Sequence, residues 1–143
     1  MCSSDLALDD GDLRAIYRLG GLVGVTAPLS HLEPRPAPVG PRCPGSVDDL
    51  RLIWDHVVDV ARAPVAWGSD FQGGVDHPRP RFGPQGCGPA PADAEPFDTL
   101  GLANAALVEP MFAQLARMGS DRAPLDASAE RFLQIWERAR AAR

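Results

Sequence analysis

The chain contains no lysine. All fourteen basic residues among its 143 are arginine, which excludes a lysine nucleophile or Schiff base within it. Cysteine is scarce: Cys2, Cys43 and Cys87 are widely spaced and form no Cys-x-x-Cys pair, which argues against a thiolate zinc site. An odd count in a chain of this size does not read as a disulfide framework. There is no run of basic residues, and the net charge is -5, so nucleic-acid binding is not expected. No apolar run approaches the length of a membrane span. Met1 to Asp5 lacks the basic start and apolar middle of a signal peptide, so the expected location is cytoplasmic. A phosphate-cradling loop is also missing. Gly20, Gly21 and Gly24 precede a strand rather than opening a helix, and Ser69 lies outside any Gly-x-Ser-x-Gly elbow.

What remains is a globular composition, with 45% hydrophobic and 23% charged residues, and a length suited to one domain. Asp9, Asp10 and Asp12 stand at a helix start, where acids complement the dipole. Leu13, Ile16 and Tyr17 follow at helical spacing, and Gly20-Gly21 ends that helix. Leu22 to Thr26 reads as a short buried strand. Residues 33–45 form a loop rich in Pro, Gly and Arg. Ser46 is a good N-cap with Asp49 three positions on. Leu50, Trp54, Val57 and Ala61 then share a face, which predicts a helix over 47–62. Val65 to Phe71 is a second strand. Strand, helix, strand at this spacing is a βαβ unit with parallel strands. Residues 72–101 form a long Gly/Pro-rich loop, expected to act as a mobile lid. Pro110 is placed as the first residue of a helix carrying Met111, Leu115 and Met118 and closed by Gly119. Asp126 is expected to cap a last helix, with an apolar stripe of Phe132, Ile135, Trp136 and Ala139.

Few residues could carry chemistry. Asp70 falls where the second strand ends, and in parallel α/β proteins ligands bind at the carboxyl ends of strands. It is a catalytic or binding candidate; the alternative is a turn cap or an arginine partner. His77 follows on the loop expected to cover that site, and Arg79 and Arg81 could clamp a substrate carboxylate; a solvated basic turn is the other reading. His31 and Glu33 lie close together without a third metal ligand. His56, beside Asp55 on the strong helix, reads as a solvated or satisfied histidine.

Gly68-Ser69-Asp70-Phe71-Gln72-Gly73-Gly74 resembles the Gly-Ser-Asp-Phe-Asp-Gly segment of the membrane (renal) dipeptidase family. The order of the neighbouring elements is similar too. Asp10 to Ile16 followed by Gly20 to Val25 resembles that family's preceding helix and strand. Ser46 to Val57 resembles the helix between the strands, and Arg131 to Glu137 its closing helix. The likeness runs over nearly the whole chain, residues 1–143, and only the Gly-Ser-Asp-Phe segment is specific.

The resemblance implies the C-terminal part of a TIM-barrel-like, metal-dependent hydrolase: the last two parallel strands with flanking helices, an incomplete barrel. It implies a zinc dipeptidase acting on small peptides, with two zinc ions whose ligands lie upstream of residue 1. None of those ligands is matched here, so the chain by itself is expected to be inactive. Asp70 alone carries over, as the aspartate that faces the zinc pair and handles the substrate amino group or a proton. Gln72 stands where the family has a second acid, the loop after Asp70 is longer, and Thr26 to His31 lacks an aromatic residue; these departures bear on substrate preference. The competing reading is a non-catalytic α/β module whose long loop binds a ligand or partner. A homo-oligomer is compatible with either.

Overall fold

The computed structural model describes residues 8–27, 41–71 and 76–142. His31, Glu33 and Gln72 to Gly74 lie outside the described residues. The first helix, α1 (Asp10–Arg18), begins as its acids require: Asp9 caps it by accepting a hydrogen bond from the Asp12 N–H at 2.8 Å. It leads into β1 (Gly24–Thr26), then α2 (Val47–Ala61) and β2 (Ala66–Gly68). Ser46 caps α2 through the Asp48 N–H. Asp49 reaches back to the Gly45 N–H at 2.7 Å rather than to that of the cap residue. It also pairs with Arg42.

β1 and β2 are parallel neighbours, in register Gly24 with Ala66, Val25 with Trp67 and Thr26 with Gly68. The fold is therefore mixed α/β around a two-stranded parallel sheet. No closed barrel is present among the described residues. Both strands are shorter than the sequence predicts, and for β2 the contacts at each end show why. The Val65 N–H is given to the Pro124 carbonyl at 3.0 Å rather than to the ladder. Beyond Ser69, Asp70 adopts a left-handed φ of 55°, which ends the extended backbone.

The other helices among the described residues are α3 (Pro96–Leu100), α4 (Val108–Arg117), α5 (Ala123–Asp126) and α6 (Ser128–Ala141), with a 3₁₀ turn at Ala105–Leu107 before α4. The core lies between the sheet, α2 and α4. Leu50, Ile53, Trp54 and Val57 of α2 meet Met111, Phe112 and Leu115 of α4. Phe112 stands edge-on to both Trp54 and Trp67, at centroid distances of 5.3 and 5.4 Å. Each fully buried large apolar side chain stabilises the fold by roughly 1.5–3 kcal/mol.

Two expectations are corrected, and the face of α6 is settled. Pro110 is the third residue of α4, not the first, because the preceding 3₁₀ turn runs directly into the helix. Asp126 ends α5 and does not cap α6, whose cap position is Ala127. The apolar stripe of α6 does not face the core: Phe132 and Trp136 are 56% and 55% exposed, and no residue of this helix is buried.

Candidate functional site

The carboxyl ends of β1 and β2 open side by side at Thr26 and Gly68. Ser69 and Asp70 follow at the mouth. Asp70 is exposed and its carboxylate has no ion pair or hydrogen bond among the described residues. A positive φ at a non-glycine residue disfavours the local backbone, although Asp and Asn tolerate it best.

The chain returns to this mouth with His77. Its Nε2 lies 3.0 Å from the Ser69 carbonyl oxygen. A carbonyl only accepts, so Nε2 donates and the neutral ring keeps a lone pair on Nδ1. The imidazole stacks on Phe71 at 4.6 Å. The structure thus brings His77 onto the residues flanking Asp70, as its place in the sequence suggests. From there an open cavity of about 540 Å³ runs along the loop, lined by His77, Arg79, Asp76, Gln85 and Leu100 among others. Arg79 is exposed, and its backbone N–H donates to Gly45 at 2.8 Å.

Arg81 is placed differently. Its Nε and Nη2 donate in a fork to the two carboxylate oxygens of Asp98, at 2.8 and 2.9 Å, and Asp48 lies 3.6 Å away. Its hydrogen bonds to Asp98 are the main cause that raises the guanidinium pKa above the ordinary value. Asp98 is only 4% exposed, so this fork neutralises a buried charge. Arg81 therefore holds the loop, and its donors are not turned toward a ligand.

The loop of residues 72–101 is not an unstructured lid where it is described. A disulfide joins Cys43 to Cys87, against the expectation from an odd cysteine count. Phe82 bridges to Gly88, and α3 buries Phe97. Gly101 passes so close to the Pro78 carbonyl that no Cβ would fit there. The fork acceptor Asp98 and the cysteine partners were not legible in sequence. Forty-four residues separate the cysteines, and an acid in the first turn of a short helix looks like any dipole-complementing acid.

His56 is satisfied by Asp10, at 2.9 Å, rather than by its neighbour Asp55, which pairs with Arg51. Among the described residues no group of three or more His, Cys, Asp or Glu side chains is arranged to hold a metal. No family model matches the chain, and neither does any curated protein or any solved structure.

Proposed function

We propose that the chain is the C-terminal portion of a dipeptidase-type hydrolase with a TIM-barrel-like architecture, and that Asp70 is its catalytic contribution. The observation that carries this reading is the Gly68-Ser69-Asp70 segment at the carboxyl end of a parallel strand, with an exposed carboxylate that is unpaired among the described residues. Two further features support it. A parallel pair of strands is rarely a complete sheet, and the described strands leave their outer edges open. The cavity that His77 lines carries an exposed arginine, Arg79, able to hold a substrate carboxylate.

In this reading the zinc pair and its ligands belong to the rest of a longer protein. The part played here is proton handling: Asp70 accepts a proton from the attacking water or holds the substrate ammonium group, while His77 orients the mouth. The Cys43–Cys87 bridge favours an oxidising compartment over the cytoplasm.

The test is made in a protein that contains this segment and hydrolyses dipeptides. Asp70→Asn keeps a side chain that tolerates the left-handed backbone and removes the base. Turnover should fall about 100-fold to 10,000-fold with the melting temperature and metal content unchanged. Near-normal turnover would overturn the assignment. The second reading, a ligand-binding module without catalysis, is favoured by the braced cavity. It predicts saturable binding of a small carboxylate by this chain that is lost in Arg79→Gln and unaffected in Asp70→Asn.

A further inference from the structure

The last helix is attached to the molecule by its polar side. Arg131 and Arg138 stand seven residues apart, two turns on one face, and donate to the carbonyls of Gly21 and Gly20 at 3.4 and 2.9 Å. Phe132, Leu133 and Trp136 lie roughly on the opposite face. They are 56%, 52% and 55% exposed, and they account for three of the seven large hydrophobic residues that the described structure leaves exposed. A helix with no buried residue draws little stability from packing, and propensity alone is marginal at this length. Its apolar face calls for a cover.

We infer that a second copy of this chain covers it, through an antiparallel α6–α6 contact about a two-fold axis near Leu133 and Trp136. The charges on the helix select this occupant and this direction. The first turn carries Glu130 and the last turn Arg138 and Arg140. Arg140 is exposed and has no partner among the described residues. In an antiparallel pair Glu130 of each copy faces Arg140 of the other, and the two helix dipoles oppose. A parallel pair would set glutamate against glutamate and arginine against arginine. The patch is thus self-complementary, as an isologous interface requires. A central tryptophan flanked by Phe and Leu within a charged rim is the usual make-up of such a contact. This inference stands apart from the dipeptidase reading.

Sedimentation equilibrium on the chain tests it. The wild-type chain should be a reversible dimer. Trp136→Ser should weaken association at least about tenfold without loss of helical signal, since Trp136 supports no core contact. Glu130→Arg and Arg140→Glu should each weaken it several-fold, and the double reversal should restore it. A monomer at all concentrations would overturn the proposal, including one that binds apolar dyes and so leaves the face for a different chain. A dimer indifferent to Trp136→Ser, or single reversals without rescue in the double, would overturn it equally.

Discussion

Arg81 shows how a residue's role depends on what is buried beside it. With Asp98 nearly inaccessible, Arg81→Ala leaves a buried carboxylate without its partner. The cost should be about 3 kcal/mol, the low end for broken buried pairs, because Arg81 keeps 21% of its side chain in solvent. Arg81→Lys should recover only part of this, since an ammonium does not make the two-pronged contact. Urea unfolding of the two variants measures both; a loss in Arg81→Ala well below 1 kcal/mol would contradict the bracing role. Tyr17, the single tyrosine, offers a pH probe. Its hydroxyl donates to the Pro64 carbonyl at 2.8 Å and accepts from the Val23 N–H at 3.4 Å. Burial, above all, raises its pKa above the usual 10.0. The protonated phenol is the form the fold favours. Its contribution is therefore complete below pH 10 and lost as pH rises through the folded value. Tyrosinate absorbance in an alkaline titration should rise later in the folded chain than in urea. Tyr17→Phe should cost about 1 kcal/mol at neutral pH and remove that part of the alkaline destabilisation.

At the scale of elements, the long loop and α2 form one braced unit. Cys43 precedes the α2 cap and Cys87 sits in the loop, their Cα atoms 5.6 Å apart, well within disulfide range. Closing a loop of this length restricts the unfolded chain by about 4 kcal/mol. Reduction, or paired Cys43→Ala and Cys87→Ala substitutions, should lower stability by that order. Proteolytic cleavage between residues 82 and 95 should become fast only then. Rapid cleavage of the oxidised chain at these residues would show that the Arg81 fork and the bridge fail to hold the loop. α6 is the opposite case. It adds Arg131 and Arg138 contacts to backbone carbonyls and no buried side chain.

The whole molecule consequently has its stability concentrated in α2, α4, the strands and the braced loop. A chain ending after Ala127 should unfold within about 1 kcal/mol of the full chain, while losing self-association. A drop of several kcal/mol, read by urea unfolding under conditions where both chains are monomeric, would place α6 in the core after all. Among the described residues no third strand joins the two-stranded sheet, and the Trp67 Nε1, buried where its ring meets Phe112, has no hydrogen-bond partner.

Local chemistry in the sequence determined where α1 and α2 start and how α2 faces the core. Asp9 and Ser46 cap because their side chains satisfy N–H groups that a helix leaves free, and Leu50, Trp54 and Val57 share a face because of the helical repeat. The parallel pairing of β1 with β2, and the position of Asp70 at their mouth, also followed from order and spacing. Tertiary structure alone decided the rest. Cys43 meets Cys87 only once the loop has folded back on α2, a contact with no periodic trace in the chain. Arg81 became a brace and Arg79 remained open because one guanidinium met a buried carboxylate and the other did not. The stripe of α6 was read correctly as apolar, yet periodicity specifies a face and not what lies against it; here two arginines seven residues apart found backbone carbonyls and turned that face outward.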